Sequence, residues 1–257
     1  LSPALCLVPS RKYVLYTFTL FSVFTPTIFG FMYNANLLIG GKLWSVLDFQ
    51  FILLLFVAYP LARKRVKVPA FNRVVLSVLI LDLLIYLQHV MFHAVPALWR
   101  LHMVHHADVD FDCTTGLRFH PLEIVLSMLI KFAAVAVLGP PAIAVILFEV
   151  VLNATAIFNH GNVRLPGAFD RVLRLIVVTP DMHRVHHSVK PFETNTNFGF
   201  NLPWWDRLLG TYKNQPEGGH EAMTIGLDQF QDRPRQGLPW LVALPFIGRA
   251  PDYPFGQ

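Results

Sequence analysis

The apolar run over residues 122–158 is about twice as long as one bilayer crossing requires, and Gly139, Pro140 and Pro141 stand near its middle. Glycine past a helix end stops a helix, and proline at the next start begins another, so the run is predicted to fold as two helices joined by a tight turn. An out-and-back hairpin of 122–137 and 142–158 is expected, with residues 120 and 160 on the same side. At 1.5 Å rise, arms of about 16 or 17 residues only just span the hydrocarbon core. Three further apolar stretches lie at about 13–33, 44–61 and 74–95. With 54% hydrophobic and 14% charged residues and a mean hydropathy of +0.48, the composition argues against an ordinary soluble domain and for about four or five membrane crossings. The first twelve residues lack a long apolar run before Arg11, so no cleavable leader is expected.

The net charge of +5 does not indicate a nucleic-acid partner. The arginines and lysines are scattered or flank apolar segments, as juxtamembrane charges do, so no nucleic acid is expected. Two cysteines, Cys6 and Cys113, are too few for a disulfide framework, a zinc ribbon or an iron–sulfur cluster.

Ten of the eleven histidines fall between His89 and His187. They read as HxxxH (His89, His93), HxxHH (His102, His105, His106), single residues His120 and His160, and a second HxxHH (His183, His186, His187). Positions i, i+3 and i+4 share one helix face, so each HxxHH is expected to present three imidazoles toward one point. Neutral imidazole is the common ligand of zinc, copper and iron. One ion takes about four to six ligands, so this array implies two metals. The Glu-x-x-His spacing of carboxylate-bridged iron bundles occurs only at Glu217–His220, where two glycines argue against a helix, and HExxH is absent. A transporter would place isolated polar ligands along a path, and a bis-histidine haem would use only one pair.

The pattern resembles the integral-membrane fatty acid hydroxylase/sterol desaturase superfamily. The likeness runs from about Asp82 to Tyr212, through DLLIYLQHVMFH, LWRLHMVHH, RFHPLEI, FNHGNVRLP, TPDMHRVHHS and NFGFNLPWWDRLLGTY. It implies an all-α integral-membrane bundle with a cytosolic helical cap holding a histidine-rich dimetal site. It further implies a single domain over 1–257, whose polar cap comprises about 96–121 and 159–257. The metal ligands it implies are His89, His93, His102, His105, His106, His120, His160, His183, His186 and His187. His120 precedes Pro121 and is open to a second reading as an outer-sphere group or a helix cap. Asp181 and Asp206, followed by Asp82, Glu123 and Asn197, are candidates to accept the free N–H groups of the ligating rings. No metal role is expected for His220.

The cofactors implied are two iron ions with O2 as cosubstrate, and the activity is hydroxylation of an aliphatic C–H bond of a lipid, fatty acyl or sterol-like. Desaturation is the nearest alternative, and a histidine-rich metal-binding or transport protein the non-enzymatic one. No GxGxxG, CxxCH or cysteine cluster is present, so electrons are expected from an external cytochrome b5-like or ferredoxin donor with its reductase. Arg100, Arg118, Arg164, Arg171, Arg174 and Arg184 gather on the histidine side and place it in the cytoplasm, although the basic run at 63–67 opposes that orientation. Trp204 and Trp205, after the last histidine box, are read as interfacial anchors or as part of a closure over the lipid.

Overall fold

A computed structural model describes residues 70–231 and 237–247. The apolar stretches at 13–33 and 44–61 and the basic run at 63–67 lie outside the described residues. Four helices build the frame: α1 (Ala70–Ala94), α2 (Pro96–His106), α3 (Pro121–Leu138) and α4 (Ala142–Asn159). Val95 is extended (φ −98°, ψ 116°) because Pro96 follows it, and the proline then occupies the first turn of α2, where no amide donor is needed. His120 and Pro121 start α3 in the same way.

The hairpin forms as expected. Gly139 closes α3 in the left-handed region (φ 62°), where a side chain would be strained, and its N–H bonds Val135 O. Pro141 then leads extended into α4. Lys131 and Glu149, equidistant in sequence from Pro140, form a buried ion pair at 2.8 Å, a contact that antiparallel arms turning at Pro140 bring about. Leu81 and Ile85 of α1 pack with Val135 of α3 and with Val145 and Phe148 of α4.

Phe71–Ala94, Pro121–Leu138 and Ala142–Asn159 are long and apolar enough to cross a membrane. Their outward residues, among them Leu76, Leu87, Val125, Leu129, Val137, Ile143 and Val150, are exposed. Apolar surface of this extent on three adjacent helices is stable against lipid and not against water, so the chain is a membrane protein.

The remaining described residues form a cap of short helices: α5 (Gly167–Leu173), α6 (Pro180–His186), α7 (Pro191–Thr194), α8 (Trp204–Leu209) and α9 (Leu238–Ala243). Among the described residues there is no strand, and one isolated bridge joins Ser188 to Ile225. Trp99, Met103, Val104 and Ala107 of α2 pack with Leu227 and Leu244, and Arg100 Nε donates to Pro245 O at 2.5 Å, which together fasten the C-terminal segment onto α2. The architecture is the all-α bundle with a histidine-bearing cap that the sequence predicts.

Candidate metal centre

Nine of the ten singled-out histidines converge in two buried groups. His89, His93, His102, His106 and His186 form one, and His105, His160, His183 and His187 the other. Within each, one nitrogen per ring lies within 4.8 Å of all the others. α1 supplies the first pair, α2 and α6 supply the two HxxHH boxes, and His160 caps the C-terminus of α4.

The expectation that each HxxHH aims three rings at one point is corrected by this arrangement. His102 and His106 enter the five-histidine group while His105 enters the other; His183 and His187 enter the four-histidine group while His186 crosses over. The reason is helical geometry. Consecutive residues are rotated by about 100°, so i+3 and i+4 flank the position of i and diverge from each other. The neighbouring rings are accordingly steep to one another, 90° for His105–His106 and 82° for His186–His187. Each box therefore lies over the seam between the groups and serves both.

The hydrogen-bond pattern turns ring lone pairs inward. A carbonyl can only accept, so Nδ1–H of His89 donates to Phe198 O (2.8 Å), that of His160 to Ala156 O (2.6 Å) and that of His186 to Thr196 O (2.8 Å). His102 Nδ1 lies 2.6 Å from Glu123 Oε1. With Nδ1 protonated, His89 Nε2 and His102 Nε2 face each other across 3.1 Å as two lone pairs. His160 Nε2 faces His105 Nε2 at 3.1 Å and His183 Nε2 at 3.0 Å, although its one lone pair can accept from only one of them. His93 Nε2, His186 Nε2 and both nitrogens of His106 and His187 are buried without hydrogen-bond partners. Buried nitrogens left in this state are costly, and converging lone pairs repel unless a cation lies between them.

Burial also holds the rings neutral, the form that binds metal. It pushes His102 down to about 3 and His160 to about 4, and neighbouring imidazoles reinforce it in holding His105, His106, His183, His186 and His187 well below their usual value. The two sets of neutral imidazoles can hold metal ions, and such a donor set suits iron as well as zinc or copper.

His120 stands apart from both groups. Its Nδ1 accepts from Leu122 N at 3.2 Å, and its Nε2 then donates to Val242 O at 3.3 Å, so it caps α3 and ties down α9. Of the carboxylates, Glu123 is the one that reaches a grouped histidine. Asp181 pairs instead with Arg184 (2.6 Å). Asp206 acts one step further out: it accepts from Phe198 N (2.7 Å), Gly199 N (2.9 Å) and Thr211 Oγ1 (2.7 Å), and so fixes the loop whose Phe198 carbonyl holds His89. Burial outweighs those hydrogen bonds and pushes its carboxyl up to about 6. Asp82 accepts from Trp205 Nε1 (2.7 Å), which docks α8 onto α1. Asn197 bonds Met182 O and Lys213 O from a left-handed backbone (φ 53°). Arg118 pairs with Asp108 at 2.8 Å.

Two further contributors belong to no motif in the sequence. Asn195 Oδ1 lies 3.2 Å from His93 Nδ1. Gly116 packs so tightly that a Cβ there would stand 2.6 Å from Ala156 O and 3.1 Å from His160 Nδ1. The first could have been suspected from its place between the last box and Asn197; a close-packing glycine has no local pattern.

A cavity of about 300 Å³ opens beside the five-histidine group, between α1, α3 and α4. His89, His102 and Glu123 are among its lining residues, and Ile85, Phe92, Phe119, Ile124, Leu152 and Phe200 supply apolar walls. Leu238 and Val242 of α9 also line it.

Comparison with known proteins agrees with this geometry. The chain is 34% identical over 149 residues to ornithine lipid hydroxylase OlsE of Rhizobium tropici, covering 58% of this chain and 44% of that protein. It is 28% identical over 152 residues to alkylglycerol monooxygenase of Homo sapiens (57% and 32%), and 25% identical over 151 residues to cholesterol 25-hydroxylase of Mus musculus (58% and 49%). The chain thus spans less than half the length of each of these relatives. No solved structure matches it. The family model described as fatty acid hydroxylase matches residues 74–211, the stretch that contributes every ring of both groups, and the chain belongs to the fatty acid hydroxylase family.

Proposed function

We propose that the chain is an O2-dependent di-iron membrane oxidoreductase that hydroxylates an aliphatic C–H bond of a lipid. The observation that carries this reading is a pair of adjoining groups of neutral imidazoles, one of which, the five-histidine group, lines a mainly apolar cavity set between membrane helices. His89, His93, His102, His106 and His186 would hold one iron, and His105, His160, His183 and His187 the other. Bound iron supplies the O2 activation and electron transfer that no side chain provides. The reaction balances as RH + O2 + two electrons + two protons giving ROH + H2O, with the electrons from an external cytochrome b5-like or ferredoxin donor. The names of the relatives, a lipid hydroxylase and a monooxygenase among them, support the reaction class.

The chain's own groups have separable tasks in this reading. Glu123, Asn195 and the carbonyls of Ala156, Thr196 and Phe198 orient the rings. Phe119 stacks on His105 at 4.4 Å and 9°, and Phe198 packs edge-on against His89, His93 and His186, which keeps water from the site. Residues 1–257 act as one domain, with the cap on the cytoplasmic face where reductants are available.

The test is iron analysis of the purified full chain together with lipid profiling of cells supplied with ¹⁸O2, with and without the gene. About two irons per chain and a lipid gaining one labelled oxygen are expected. Loss of two hydrogens without label would replace hydroxylation by desaturation. An unchanged lipid profile, despite reducible iron and a working donor, would overturn the reading.

A further inference from the structure

Beyond Glu123, which orients His102, the cavity carries polar side chains for which the iron chemistry has no use. Glu123, Ser127 and Lys131 recur every fourth residue on α3, so they lie on one face, and all three line the cavity. At 1.5 Å per residue, Ser127 lies about 6 Å and Lys131 about 12 Å along the helix from Glu123. Glu149 and Asn153 of α4 line the same cavity. Lys131 Nζ donates to both Glu149 oxygens, at 2.8 and 3.0 Å, with both side chains buried. Nearer the histidines, Gln88 Nε2 donates to Ser127 Oγ at 2.9 Å, while Gln88 Oε1 is buried with no partner.

The hairpin does not require these groups. Val135, Val145 and Phe148 already fasten α3 and α4 to Leu81 and Ile85 of α1. Taking two charges out of water is costly, and apolar residues of similar volume are often as stable or more so. Ionisable residues within membrane helices mark functional positions for that reason. A buried amide oxygen left without a donor on a cavity-lining side chain is paired only if the ligand brings a donor, and a plain hydrocarbon has none to give.

We propose that the Gln88–Ser127 and Lys131–Glu149 pairs recognise a hydrogen-bonding group, a hydroxyl or an amide N–H, inside the bound lipid and thereby select the carbon that lies under the histidines. This rests on the reading of the cavity as the lipid site of an oxygenase. The substrate class is then a lipid whose hydroxyl or amide lies on the order of 10 Å from the oxidised carbon, as the spacing along α3 sets it. Unfunctionalised alkyl chains are poor ligands, because a site built around buried hydrogen-bonding groups discriminates strongly against an analogue that leaves them unpaired.

The test is binding of tritiated hexadecan-1-ol and tritiated hexadecane to the purified full chain in the same micelles. The native protein is expected to prefer the alcohol by about tenfold or more. The Lys131→Met/Glu149→Leu double variant replaces the pair by apolar groups of similar size; it is expected to cut the preference to about twofold, with hexadecane bound at least as well as by the native protein and the melting midpoint unchanged. Gln88→Leu is expected to reduce the preference at least about threefold, and it decides the matter alone if the double variant does not fold. Equal binding of both lipids by the native protein, or an alcohol preference intact in every folded variant, overturns the proposal. Binding is read without turnover, so an intact alcohol preference with no incorporation of ¹⁸O defeats the oxygenase reading and not the recognition site, and labelled product with no alcohol preference does the reverse.

Discussion

Glu123 Oε1 lies 2.6 Å from His102 Nδ1, which joins the first turn of a membrane helix to the last turns of α2. The contact fixes the His102 tautomer and turns its Nε2 into the five-histidine group. Glu123→Ala should therefore weaken metal binding by about 10–100-fold, and Glu123→Gln by less, because an amide oxygen still accepts. Chelator competition on the purified protein measures this. Metal retention equal to that of the unaltered protein in Glu123→Ala would remove the carboxylate from the site.

Gly116→Ala should damage the four-histidine group selectively. The new methyl would stand 2.6 Å from Ala156 O, the acceptor of His160 Nδ1–H, so α4 or the Thr115–Leu117 turn must shift. Overpacking of this kind costs about 1–3 kcal/mol. A lower melting midpoint with reduced metal content is expected; an unchanged midpoint and full metal content would show that the turn yields freely.

Asp206→Asn should destabilise the cap without removing any ring. The carboxylate serves two backbone donors and a hydroxyl, whereas an amide presents N–H groups to at least one of them. A cost of about 1–3 kcal/mol is expected, with a secondary loss of metal as the Phe198 carbonyl moves from His89. Thermal unfolding with and without added iron separates the two effects; identical curves for variant and parent would contradict the assignment.

Acid should destabilise the metal-free protein. His102 and His160, held near 3 and 4 when folded, take up protons below about 6.5 once unfolded. Their contribution is fully present above that pH and is lost as pH falls, at ~1.4 kcal/mol per pH unit for each differentially bound proton. Asp206 works in the opposite sense: its folded value is raised, so its contribution is present below about 3.8 and is lost as pH rises through about 6. The buried histidines outnumber it. The melting midpoint should fall between pH 7 and pH 5; a level or rising midpoint would contradict the buried, neutral rings.

His120 and His105 should separate cleanly. His105→Ala removes a ring of the four-histidine group and should lower both metal content and turnover. His120→Ala removes a helix cap and the tie to Val242, so it should cost about 0.5–2 kcal/mol of stability while leaving metal content intact. Elemental analysis of the two variants decides, and a metal loss in His120→Ala equal to that in His105→Ala would return His120 to the ligand set.

Local signals carried much of this architecture. Gly139, Pro140 and Pro141 announced the hairpin because backbone restriction is a property of the residues themselves, and the histidine spacings announced a metal centre because i, i+3 and i+4 are neighbours on any helix. What joins distant segments was not legible. Asp181 stands two residues before the last box, yet Arg184 one turn later takes it, while Glu123 reaches His102 from a different helix. The division of each box between two groups depended on where α2 and α6 lie relative to the seam, which is a matter of packing. His120 kept both of its readings in sequence, since a ring before proline is placed equally well to ligate or to cap.

Because each HxxHH contributes to both groups from one rigid helical turn, the two histidine groups are geared to each other. A rotation of α2 or α6 about its axis that brings His105 or His186 toward its own group swings the flanking pair, His102 and His106 or His183 and His187, away from the other. Neither group can be tightened independently, so selection on either one acts on the orientation of the whole helix.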